Sequence, residues 1–101
     1  PVVRLLGGLV KAYEMVPPIY EIDWSTVKKL VSANTKMIII NSPHNPTGRI
    51  LQDNDIKELI NITRNTDIMI VSDEVYEHLI YDGKKHLSLA AYPELKERTF
   101  I

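Results

Sequence analysis

The sequence has no cysteine among its 101 residues. That excludes disulfides and thiolate metal sites, and it suits a reducing cytoplasm. A basic excess is also missing: 12 Lys and Arg stand against 13 Asp and Glu, a net charge of −1. A nucleic-acid or anionic-membrane surface needs clustered positive charge, so neither partner is expected. No apolar run approaches the ~20 residues that a membrane-crossing helix requires. No signal peptide, internal repeat or low-complexity segment is visible. What remains is ordinary globular composition, 45% apolar and 25% charged, enough for one modest core.

The chain opens on Pro1 rather than Met and closes on "RTFI", which reads as a strand being entered. Both ends are expected of a piece of a longer protein. Between them the pattern alternates. "PVVRLL" before Gly7-Gly8 reads as the end of a helix with a glycine cap. Leu9–Val16 alternates apolar and polar, the period of a half-exposed strand, and Pro17-Pro18 ends it. Asp23–Ser32 predicts a helix, with Asp23 as N-cap and Trp24, Val27, Leu30 and Val31 on one face. "MIII" (37–40) and "DIMIVS" (67–72) predict strands covered on both faces. The helix between them should face inward with Ile56, Leu59, Ile60 and Thr63. Glu74–Tyr81 fits a short helix or an extended segment, "YDGKKH" a surface turn, and "LSLAAYPELKE" one or two helical turns. Strands alternating with helices imply an α/β fold with a mainly parallel sheet and flanking helices.

In such sheets ligands bind outside the carboxyl ends of the strands. Two loops leave those ends: "NSPHNPTG" (41–48) after the first apolar strand, and "DEVY" (73–76) after the second. Strands joined by one helix usually lie side by side, about 5 Å apart. Asn45 and Asp73, 28 positions apart in sequence, are therefore expected to face one small ligand. A carboxylate at the tip of a buried strand is partly desolvated and calls for a cationic or hydrogen-bonding partner. Asp73 fits a contact to a protonated ring nitrogen or a metal, and equally a helix N-cap. Tyr76 fits packing, and residues 45–48 fit a plain turn. His78 and His86 lack Cys or carboxylate partners at ligand spacing in the sequence, so no metal site is expected.

Taken together, "NSPHNPTG", "SDEVYEHLIYDG" and "HLSLAAYPELKERTF" resemble the fold-type I aminotransferases that use pyridoxal 5'-phosphate (PLP). The likeness is nearest to the kynurenine, glutamine and methionine aminotransferase subgroup and runs from about Leu6 to the end. It implies that residues 1–101 are the central part of a PLP-binding large domain. Asp73 would pair with the pyridine nitrogen, Tyr76 with the ring's phenolate oxygen, and Asn45 with that same oxygen. Asn45 also contacts the substrate carboxylate in the family, and Asn45–Pro46 is expected to be cis by analogy.

The family's Schiff-base lysine lies beyond the strand that "RTFI" begins, and none of the eight lysines here stands in for it. No catalytic residue is therefore assigned, and the 101 residues are expected to be inactive alone. The resemblance implies a homodimeric parent acting on amino acid and 2-oxo acid substrates. It also implies a further strand between Leu9–Val16 and Met37–Ile40, whose absence would leave a bare edge prone to association. Three alternatives stay open: a PLP-dependent carbon–sulfur lyase, an aminotransferase-like ligand-sensing domain of a transcription regulator, and an unrelated receiver-like domain. "DEVY" favours the aminotransferase over the lyase, because such lyases often carry His in place of Tyr76.

Overall fold

The computed structural model describes residues 2–101; Pro1, part of the expected first helix, lies outside them. Helix α1 (Val2–Leu5) is a single turn. It closes as expected on glycine: Gly7 N–H donates to Arg4 O at 3.0 Å and Gly8 N–H to Val3 O at 2.8 Å. Gly7 has φ +83°, which a side chain would strain. The strand expected over Leu9–Val16 is not formed. Alternation supplies a face but not a partner for the backbone groups. No described strand pairs with this segment, and Leu9 and Val16 are 85% and 70% exposed.

Helix α2 (Trp24–Leu30) starts at the expected cap. Asp23 Oδ1 accepts from Ser25 N–H at 2.9 Å and Thr26 N–H at 3.3 Å, while both hydroxyls also donate to the carboxylate. The Ser25 and Thr26 hydroxyls, joined by the Thr26 amide, hold the Asp23 carboxyl down at about 2. Strand β1 (Met37–Asn41), helix α3 (Asp53–Thr63) and strand β2 (Met69–Asp73) follow as one β-α-β unit. A 3-10 turn (Leu89–Ala91), helix α4 (Pro93–Lys96) and the short strand β3 (Thr99–Phe100) complete the order. The three strands form an all-parallel sheet in the order β1-β2-β3. Glu74–Tyr81 is neither helix nor strand but consecutive turns, with Glu77 N–H bonded to Glu74 O and Leu79 N–H to Tyr76 O. Asp82-Gly83 forms the expected turn, both residues at positive φ.

One face of the sheet holds the core. Ile70 packs with Trp24, Leu51, Ile56, Leu59, Leu89 and Leu95, with Ile38 and Ile40 against them. Ile56, Leu59 and Thr63 of α3 are buried, and Ile60 is half-buried. The expectation that β1 and β2 are covered on both faces does not hold. Met37 and Ile39 are 49% and 62% exposed, and Val71 is half-buried. Helix α3 and the β2–β3 connection lie over the Ile38, Ile40 and Ile70 side, so among the described residues the other face of the sheet is uncovered.

Candidate functional site

The register of β1 and β2 builds the site. Asn41 pairs with Asp73 as the last step of the ladder, so the two loops leave the sheet at the same level. Period-two alternation puts Asn41 and Asp73 on the uncovered face, opposite Ile40 and Ser72. Ser42 N–H and Asn41 Nδ2 both donate to Asp73 O, at 3.0 and 3.1 Å. Asn41 Oδ1 in turn accepts from Asn45 N–H at 3.0 Å. Asn45 Nδ2 then donates to the Tyr76 hydroxyl at 3.2 Å. Asn45, Asp73 and Tyr76 thus gather at the carboxyl ends of adjacent strands. The Asn45–Pro46 peptide is cis, as are Ser42–Pro43 and Pro17–Pro18.

Asp73 departs from expectation in one respect. It is solvent-exposed rather than desolvated, and its Oδ1 accepts from Val75 N–H at 3.3 Å in a turn, with no helix to cap. The desolvated carboxylate is its neighbour Glu74, whose side chain is 4% exposed. Alternation explains the exchange: Asp73 faces outward, and the next residue turns to the core side. Glu74 Oε1 accepts from Ser72 Oγ at 2.8 Å and from Ser88 Oγ and Leu89 N–H at 3.2 Å. His86 Nε2 lies 2.6 Å from Glu74 Oε2. Burial pushes the Glu74 carboxyl up, but these four donors outweigh it and hold the group below its usual range. The partner of His86, invisible at sequence spacing, is therefore a carboxylate 12 positions away.

Glu77 also brings a carboxylate oxygen near this pair, within 4.8 Å of the Glu74 and His86 ligand atoms. Both Glu74 oxygens already accept from protein donors, so the cluster is an anchor for the loop after β2 rather than an open ligand set. An open cavity of about 330 Å³ lies beside it, lined by Ser72, Asp73, Glu74, Val75, Glu77 and Ile101. Asp73 borders that cavity, while Asn45 and Tyr76 do not.

A second anchor holds the loop after β1. Asp55 is 3% exposed and accepts from Trp24 Nε1 at 2.8 Å, Arg49 Nη2 at 2.9 Å and Gln52 N–H at 2.8 Å. Arg49 is thereby spent on the loop's exit, and Arg98 Nη1 on the carbonyls of Thr66 and Ile68. Within the loop, Ser42 Oγ accepts from Leu51 N–H at 3.1 Å, and His44 Nδ1 meets Thr47 Oγ1 at 2.8 Å. Trp24 is a core residue, as its helical spacing indicates.

Residues 1–100 match the family model for aminotransferase class I and II. The chain belongs to the class I and II aminotransferase family. This aminotransferase-family chain is 38% identical over 98 residues to the methionine aminotransferase of Escherichia coli strain K12, covering 97% of itself and 25% of that relative. It superposes on the crystal structure of YbdL from Escherichia coli, for which a methionine aminotransferase function is described, with a TM-score of 0.93. Identity there is 37%, over 98% of this chain and 26% of the other. Cystalysin from Treponema denticola, whose crystal structure contains PLP, matches with a TM-score of 0.71 and 31% identity over 78% of this chain and 21% of its own. The aminotransferase-family chain spans about a quarter of the length of the curated relatives it matches. Among its described residues no helix is long and apolar enough to cross a membrane.

Proposed function

We propose that the protein carrying these residues is a PLP-dependent aminotransferase, moving an amino group from an amino acid to a 2-oxo acid. In this reading residues 1–101 are the central part of its PLP-binding large domain, and Asn45, Asp73 and Tyr76 are cofactor contacts. The protein acts in the cytoplasm as a homodimer. The observation that carries the reading is the meeting of Asn45 Nδ2 and the Tyr76 hydroxyl at 3.2 Å, in the two loops that leave the sheet where Asn41 pairs with Asp73.

The donor set fits the cofactor's ring. Because Asn45 donates to the Tyr76 oxygen, the hydroxyl hydrogen of Tyr76 stays free for a further acceptor. The second hydrogen of the Asn45 amide is equally available. Two neutral donors side by side suit a phenolate oxygen. Asp73, an exposed carboxyl at the strand end, suits a protonated ring nitrogen. Bound there, PLP supplies an electron sink for the carbon that loses its proton. Asp73 holds the proton on the ring nitrogen, which keeps that sink strong. Tyr76 and Asn45 stabilise the negative oxygen through hydrogen bonds and fix the ring's orientation. No residue of this chain is assigned the proton transfer itself.

The test is made on the natural protein carrying this sequence. Added PLP should produce a visible absorbance band, and amino transfer from an amino acid to a 2-oxo acid should follow. Asp73→Ala should lower kcat by about 10²–10³, the range for loss of one preorganised electrostatic group. Absence of the band would refute the reading. Pyruvate release from cystathionine without amino transfer would replace it with carbon–sulfur lyase chemistry.

A further inference from the structure

Asn41 closes β1 and opens the loop motif, yet it has no part in the cofactor contacts assigned above. Its side chain nevertheless joins both halves of the site. Nδ2 donates to the carbonyl of Asp73 at 3.1 Å, and Oδ1 accepts from the N–H of Asn45 at 3.0 Å. One planar amide therefore fixes the backbone of two proposed cofactor contacts against each other. The chain of bonds continues through Asn45 Nδ2 to the Tyr76 hydroxyl at 3.2 Å. Asn41 itself is half-buried on the uncovered face, outside the hydrophobic core.

The position demands a donor and an acceptor on one short rigid group. Asn provides both; Asp keeps the acceptor but turns an oxygen toward the Asp73 carbonyl, and Ala provides neither. The backbone bond from Ser42 N–H to Asp73 O, at 3.0 Å, holds the strand ends together without Asn41. The loop residue Asn45 has no such second tie to β2 through its backbone among the described residues.

We propose that Asn41 is a positioning residue, setting the spacing of Asn45 and Asp73, and through Asn45 the place of Tyr76, around the cofactor. This rests on the PLP reading above. Losing the side chain leaves the fold in place but lets the Asn45 loop drift from Asp73. An introduced carboxyl at position 41 does the same when ionised. When protonated it can donate to the Asp73 carbonyl and restore the link.

The experiment uses the natural protein carrying this sequence, as wild type, Asn41→Ala and Asn41→Asp. It measures equilibrium affinity for PLP across pH, amide hydrogen exchange at Asn45, and the melting midpoint. Both variants should bind PLP about tenfold more weakly at neutral pH, the effect of losing about one net hydrogen bond. Exchange at Asn45 should quicken by a similar factor of about ten. Asn41→Asp, and not Asn41→Ala, should regain affinity as pH falls toward about 4, the usual carboxyl range. Wild-type binding with both variants within about twofold of it would overturn the proposal alone. So would a melting midpoint lowered by about 10 °C or more, which would place Asn41 in the fold rather than the site. A wild type that fails to bind PLP would overturn the functional reading, and this proposal with it.

Discussion

Replacing Glu74 with Ala should be among the most damaging single changes to the fold, although Glu74 is not one of the proposed cofactor contacts. Its 4%-exposed carboxylate serves four donors. The two serine hydroxyls are free to rotate. The Leu89 N–H and the His86 ring cannot, and each buried group left unpaired costs about 1–3 kcal/mol. The sum agrees with the about 3–5 kcal/mol typical of removing one partner of a buried pair. For a domain of total stability about 5–15 kcal/mol, such a loss leaves little in reserve.

Glu74→Gln is the quantitative arm. Its carbonyl oxygen can keep the Ser72, Ser88 and Leu89 bonds, but its NH₂ faces His86 Nε2. The ring must then carry its proton on Nδ1, a buried atom with no partner. The expected cost is about 1–2 kcal/mol. The pH dependence separates charge from packing. The Glu74 carboxyl is held below its usual value, so its contribution is complete above about 4.5 and lost as pH falls through the folded-state value. Urea unfolding of the chain at several pH values measures both effects. Glu74→Gln should lack that part of the acid slope. A Glu74→Ala chain within about 1 kcal/mol of wild type would refute the account.

Asp55→Ala should cost about 3–5 kcal/mol by stranding Arg49 and Trp24, and Trp24 emission should shift to the red as its Nε1 loses its partner. Ile70→Ala should cost about 2–5 kcal/mol, whereas Ile39→Thr on the uncovered face should stay within about 0.5 kcal/mol; equilibrium unfolding distinguishes them. Acidification should fray α2 late: Asp23 caps it fully above 3.8 and releases it only as pH falls through about 2, read as helical dichroism lost in wild type but already missing in Asp23→Ala.

The β-α-β unit was legible because its signals are local. Asp23 announces a cap, and Ile56, Leu59 and Thr63 mark one helical face. The placement of Asn45 and Asp73 at the same end of the sheet also followed from topology, because consecutive parallel strands end at the same side of a sheet. Four features were not legible. Leu9–Val16 has the alternation of a strand, but strandedness needs a partner that no local pattern encodes. "MIII" reads the same whether one or both faces are covered. The bond between Glu74 and His86 depends on how residues 75–85 turn back, and turn chemistry fixes only Asp82-Gly83 within that stretch. Asn41 stood in the quoted motif without a role, since only the β1–β2 register shows which backbone groups its amide can reach.

That register has a practical consequence for redesign. The last rung, Asn41 with Asp73, is set by the ladder and not by the length of the connection between the strands. Residues 53–63 can therefore be lengthened by whole turns, or exchanged for another amphipathic helix, while the two loops keep their mutual height. A slip of one residue in β2 has the opposite result. It would bring Glu74 to the open face, bury Asp73 and dismantle the site while every strand remained intact. The ladder is the ruler of this site, and the helix is only the cord that joins its marks.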